Sequence, residues 1–123
     1  MKRPLEIDTV ERNGAVILLV AGEIDLSTAP LFEEKLLAAE ATEATTVVVD
    51  LEHVSFIDST GLKVLIKHAV PEAGSSRVRV TPGSAQVRRL FEITGLLQRV
   101  SFESPGAHWR PPDPSPDPPR HAA

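Results

Sequence analysis

"TVVVDLEHVSFIDSTGLKVLIKHAV" occupies residues 46–70 and holds the transition that decides the fold. Its first six residues, 46–51, are rich in β-branched side chains and read as a strand. After Asp58 the period changes. Over 59–70, Leu62, Leu65, Ile66 and Ala69 recur on one helical face, while Lys63, Lys67 and His68 take the rest. Pro71 ends the helix. At the joint stand an aspartate, a serine, a threonine and a glycine: Asp58, Ser59, Thr60 and Gly61. Any of the first three can cap a helix. The same position also suits a phosphate, because unpaired amides and the positive end of the helix dipole face whatever is added there.

The pattern extends in both directions from this joint. "LEIDTV" (5–10) and "AVILLVA" (15–21) flank Asn13-Gly14, a turn signal, and read as a hairpin. The second of these is apolar throughout, as a central strand buried on both faces would be. "GEIDLST" reads as a loop, and "APLFEEKLLAAE" (29–40) as a helix with Ala29, Phe32, Leu36 and Ala39 inward and Ser27 or Thr28 as cap. Downstream, "RVRVTP" (77–82) alternates as a strand. "SAQVRRLFEITG" (84–95) is a third helix between Ser84 and Gly95, with Val87, Leu90, Phe91 and Leu97 as core candidates. "RVSF" (99–102) reads as a last strand. The order is β-β-α-β-α-β-α-β: an α/β fold with a small mixed sheet, parallel after the hairpin, and helices packed on it.

The chain has 123 residues, enough for one domain. Its expected extent is 1–103, because 104–123 carry seven of the eleven prolines and read as a disordered tail with Trp109 as the one large apolar group. Without cysteine there are no disulfides and no thiolate chemistry. No apolar stretch approaches the roughly 20 residues of a membrane span, and no apolar h-region follows the first basic residues. Net charge is −4, split unevenly: residues 1–58 carry −8 and residues 59–103 carry +4. An acidic chain without a basic, aromatic-interleaved patch argues against direct DNA binding. A polarised surface instead suits a protein partner.

If the strands at 15–21 and 46–51 are parallel, the loops after them emerge at one sheet edge, where α/β proteins place their sites. Asp25 of "GEID" then lies near Asp58, Ser59 and Thr60. A serine nucleophile is disfavoured: a hydrolase elbow needs glycine two residues before the serine, and position 57 is Ile. Aspartyl phosphorylation at Asp50 lacks the paired acids that would hold magnesium, and no metal-ligand spacing is present; no cofactor is expected. A phosphate on Ser59 would add roughly −1.5 to −2 of charge between two aspartates. Like charges about 4 Å apart repel by on the order of 4 kcal/mol at a surface-like dielectric, before salt screening.

The segments "VAGEIDLSTAPLFEEKL" (20–36), "VVVDLEHVSFIDSTGLKVLIKHAV" (47–70) and "SAQVRRLFEITGLLQRVSF" (84–102) resemble the STAS-domain family, specifically bacterial anti-sigma factor antagonists. The resemblance implies a cytoplasmic, non-enzymatic, partner-switching regulator. Such antagonists bind an anti-sigma factor that is also a serine kinase, release the sigma factor, and are switched off by phosphorylation. A phosphatase restores them. Carried over, the acceptor is Ser59, its neighbours are Asp25, Asp58, Thr60 and Gly61, and the partner-binding set is Glu23, Asp25, Ser59, Thr60, Leu62 and Lys63. Two departures stand out. Lys63 replaces the small residue common in relatives, and the proline-rich tail stands where the family has a final helix. The same fold also serves as a non-phosphorylated accessory subunit of an ABC-type lipid transporter, or as a ligand-sensing module. Those alternatives differ in partner, not in architecture.

Overall fold

A computed structural model describes residues 4–71 and 77–102. A hairpin of β1 (Glu6–Arg12) and β2 (Ala15–Ile24) opens the chain, turned by Asn13 and Gly14 at φ 53° and 81°. Helix α1 (Ala29–Glu40) leads to β3 (Thr46–Ile57), and α2 (Ser59–Ala69) leads to β4 (Val78–Val80). Helix α3 (Ala85–Thr94) and a 3₁₀ turn, Leu96–Gln98, close the described fold. The sheet order is β1-β2-β3-β4, with β1 antiparallel to β2 and the other pairs parallel.

One face of the sheet carries the main core. Val16, Leu18 and Val20 of β2, Val47, Val49 and Leu51 of β3, and Val78 and Val80 of β4 alternate onto it. Phe32 and Leu36 of α1, Leu65 of α2 and Phe91 of α3 pack against them. Burying each such large side chain stabilises the fold by about 1.5–3 kcal/mol. The opposite face carries a second, smaller cluster of Ile17 and Val48, with Ala15 and Leu19 beside it.

Several boundaries differ from the sequence expectation. "GEI" is not loop, and β3 does not stop at Leu51: both strands continue until Ile24 pairs with Ile57. Two register shifts, between Leu19 and Ala21 and between Gly22 and Glu23, absorb the extra residues of β3 and let pairing resume. The expected strand 99–102 is reduced to one bridge, Val80 to Phe102. Val80 N–H donates outward to Ser101 and Thr81 N–H inward to Val49, so the next outward donor falls at Pro82, which has none. On α2, Ile66 is 38% exposed and Val64 is buried in its place. In the C-terminal part, Leu96 is buried while Leu90 and Leu97 only flank the core. The proline-rich stretch 104–123 lies outside the described residues. Among those residues, no helix is long and apolar enough to cross a membrane.

Candidate functional site

The site forms where β2 and β3 end together. Ile24 and Ile57 are paired, and Asp58 N–H donates to the carbonyl of Ile24 at 3.0 Å. Asp25 and Asp58, the next residue on each strand, therefore emerge side by side, as the parallel arrangement predicts. Both are half-buried.

Each aspartate organises its own turn. Asp58 has extended backbone, φ −104° and ψ −171°, and occupies the N-cap of α2. Its Oδ1 accepts from Thr60 N–H at 2.8 Å and from Gly61 N–H at 3.2 Å. Asp25 Oδ1 accepts from Ser27 N–H at 3.0 Å, from the Ser27 hydroxyl at 2.8 Å and from Thr28 N–H at 3.2 Å. Thr28 holds the N-cap position of α1 without a side-chain cap bond; its hydroxyl donates instead to the carbonyl of Glu23 at 2.8 Å. The expected capping by Ser27 or Thr28 is thus replaced by an Asp25-centred turn that locks the strand end to the helix start.

With Asp58 capping, the first helical residue is Ser59, which is exposed. Among the described residues its hydroxyl makes no hydrogen bond. Thr60 is half-buried, so the two hydroxyls are not equivalent. Gly61 is buried, and its role is packing. A Cβ there would stand 2.6 Å from Ile24 Cγ2 and 2.7 Å from Ile57 Cγ1. Only glycine lets the first turn of α2 settle onto the two strand ends.

The remaining expected residues divide by burial. Glu23 is half-buried at the end of β2, opposite Phe56. Lys63 is exposed and lies four residues after Ser59, on the same face of α2. Leu62 is 7% exposed and belongs to the core, so it positions α2 and offers a partner almost no surface. Two exposed apolar residues escaped the sequence reading: Leu26, 75% exposed beside Asp25, and Phe56, 49% exposed two residues before Asp58. Leu26 had a signal, being apolar in an otherwise polar loop. Phe56 had none, because it lies past the expected end of the strand, where no local pattern shows which side it takes. Phe56 also borders an open apolar groove of about 310 Å³ that continues along α3 past Leu90 and Ile93.

Helix α2 is fixed at its other end by His68, whose side chain is largely buried. Its Nδ1 lies 2.7 Å from Glu40 Oε1 and its Nε2 lies 2.8 Å from Glu33 Oε2, both on α1. Lys67 Nζ adds a contact to Glu33 at 2.8 Å. The Lys67 and His68 hydrogen bonds hold the Glu33 carboxyl below its ordinary value. His68, expected among the solvent-facing residues of α2, instead clamps α2 to α1.

The chain matches the STAS domain family over residues 6–105. It is 33% identical over 92 residues to the anti-sigma-F factor antagonist RsfB of Mycobacterium tuberculosis, covering 75% of each chain. It is 39% identical over 102 residues to the anti-sigma-B factor antagonist of Listeria monocytogenes, covering 81% of this chain and 90% of that one. The crystal structure of an anti-sigma factor antagonist from Mycobacterium paratuberculosis superposes with a TM-score of 0.70 at 27% identity, over 83% of this chain and 89% of that one. With this family match and these anti-sigma factor antagonists as relatives, the chain belongs to the STAS domain family.

Proposed function

We propose that this protein is an anti-sigma factor antagonist, acting by binding and not by catalysis, and that phosphorylation of Ser59 switches it off. Its partner is an anti-sigma factor, as the names of its relatives suggest, and serine kinase activity of that partner is what the sequence resemblance implies. One observation carries the reading: Asp58 performs the capping that the local sequence calls for, leaving the Ser59 hydroxyl exposed at the N-terminus of α2. In the transfer, Ser59 Oγ forms a new bond to the γ-phosphorus of ATP, ADP leaves, and the hydroxyl proton passes to a base on the kinase. A phosphatase reverses the modification.

The docking surface in this reading is the shared end of β2 and β3 with the first turns of α2. Glu23, Asp25, Ser59, Thr60 and Lys63 supply polar contacts, and Leu26 and Phe56 supply exposed apolar area. A phosphate placed beside Asp25 and Asp58 turns that surface strongly anionic. The helix N-terminus tolerates the group within the free protein, so modification repels the partner without unfolding α2. Incubation with the cognate anti-sigma factor and ATP, followed by peptide mass spectrometry, tests the assignment. A single phosphate on Ser59 is expected; an unmodified Ser59, or one phosphate elsewhere, refutes it.

A further inference from the structure

The strands of the sheet end unevenly. β4 pairs with β3 only from Val47 to Val49, while β3 continues to Ile57. Beyond that pairing, this edge of β3 is met by single side chains. Leu51 N–H donates to Thr81 Oγ1 at 2.9 Å, and the Ser84 hydroxyl donates to the Val54 carbonyl at 3.4 Å. The chain then enters α3, and the last residues of β3 have no strand on this side. Asp58 N–H points to β2, where the Ile24 carbonyl accepts it at 3.0 Å. Backbone groups alternate sides along a strand, so Ile57 N–H points away from β2. Among the described residues it has no acceptor. An unpaired strand edge is a template for one more strand.

The space beside that edge is the groove of about 310 Å³. Ser55, Phe56 and Ile57 form one wall, and Val87, Leu90 and Ile93 of α3 form the other. Phe56 is half-exposed and Ile93 is 71% exposed, so both walls offer apolar surface. The free charge is of one sign. Arg88 is paired with Glu92 at 3.6 Å, whereas Arg89, which also lines the groove, has no ion pair among the described residues.

These features select the shape and charge of an occupant. A helix could fill the apolar walls but not the edge, because its own backbone groups are bonded internally. An extended segment meets all of them. Its backbone accepts from Ile57 N–H, its alternate side chains fall toward α3 and toward Phe56, and a carboxylate on it meets Arg89. The groove is also continuous with the surface around the phosphate acceptor, since Ile57 directly precedes Asp58 and Ser59 follows.

We infer that the free edge of β3 at Ile57 and the groove along α3 receive an extended apolar segment of the anti-sigma factor that carries a carboxylate. The inference rests on the anti-sigma factor being the partner, and it adds the part of that partner which docks here. Phosphorylation at Ser59 then governs when the two proteins bind, and the groove governs which anti-sigma factor fits.

Amide hydrogen exchange by NMR on the full-length protein, alone and with the cognate anti-sigma factor, tests the strand pairing. In the free protein the Ile57 amide should exchange faster than the β3 amides that face β2, and in the complex it should slow by at least about tenfold. Ile93→Glu and Arg89→Glu, both at exposed positions, should each weaken calorimetric binding by about tenfold or more. An unmodified protein that does not bind the anti-sigma factor fails the proposed function and this inference together. Binding that is lost on Ser59 phosphorylation, but with Ile57 unprotected in the complex and both variants binding as the parent does, overturns this inference alone. Protection of Ile57 in the free protein also overturns it: if independent of concentration, the chain covers its own edge, and if lost on dilution, a second copy does.

Discussion

Asp58 Oδ1 accepts the backbone N–H of Thr60 at 2.8 Å, and this bond separates the capping residue from the exposed hydroxyl of Ser59 at the start of α2. The carboxylate holds the helix end, and the adjacent Ser59 hydroxyl is left for other chemistry. The separation has a thermodynamic signature. Asp58→Ala should lower stability by about 1 kcal/mol, the usual cost of losing an N-cap. Ser59→Ala should change it by less than about 0.5 kcal/mol. Asp58→Asn keeps the cap but removes a charge, so it should retain stability while weakening the repulsion a phosphate creates. Urea denaturation of the three variants checks the order.

Gly61 sets how closely α2 approaches the strand ends. A methyl at this position meets Ile24 Cγ2 and Ile57 Cγ1 well inside contact distance. Both atoms branch close to the backbone and cannot swing away. Gly61→Ala should therefore cost about 1–3 kcal/mol by overpacking. It should also displace the turn that presents Ser59, so phosphorylation should slow even where the variant remains folded. Thermal melts and a timed kinase assay measure the two effects separately.

The clamp between α1 and α2 gives an acid-sensitive contribution. Hydrogen bonds from Lys67 and then His68 lower the Glu33 value below 4.5 in the folded state. A depressed carboxyl stabilises the fold above its unfolded value and loses that contribution as pH falls through the folded one. Glu33→Gln should flatten the acid limb of the stability profile and change little near neutrality beyond the lost ion pair. His68→Leu should lower stability by removing both ring contacts to α1, leaving Glu40 without its ring partner and Glu33 with Lys67 alone. Chemical denaturation across pH 2–7, a range spanning the ordinary Asp and Glu values, resolves both.

Much of this arrangement is legible in the sequence. The change of period after Asp58 marks the strand-to-helix joint, Asn13-Gly14 marks the hairpin, and the apolar character of 15–21 marks a central strand. Asp25 and Asp58 can be placed together from parallel pairing alone. Other parts depend on long-range contacts that no local pattern carries. Glu52, His53 and Ser55 make the end of β3 look like loop, yet two register shifts keep it paired with β2. Pro82 curtails the last strand through a donor it lacks, not through its own position. Nothing local distinguishes His68 from an exposed base, because its partners, Glu33 and Glu40, lie 35 and 28 residues away. Nor does anything local show that Gly61 is a packing requirement, because the atoms a Cβ would meet belong to Ile24 and Ile57 at the ends of two strands.

Lys63 should moderate the switch. It follows Ser59 by four residues with the acidic position N-terminal to the basic one, the favourable orientation for a helical ion pair. A Ser59 phosphate should gain roughly 0.5 kcal/mol from it at the exposed surface. Lys63→Ala should leave stability of the unmodified protein within about 0.5 kcal/mol. It should selectively destabilise α2 in the phosphorylated form, which denaturation of both forms reveals.

The most direct measurement is calorimetric titration of the anti-sigma factor with the unmodified protein, the Ser59-phosphorylated protein and Ser59→Ala. Repulsion on the order of 4 kcal/mol corresponds to roughly a thousandfold loss of affinity, and salt screening reduces it. The expected result is tight binding by the unmodified and Ser59→Ala proteins, and a loss of at least about a hundredfold on phosphorylation, smaller at high salt. Equal affinities for the phosphorylated and unmodified proteins would contradict the account.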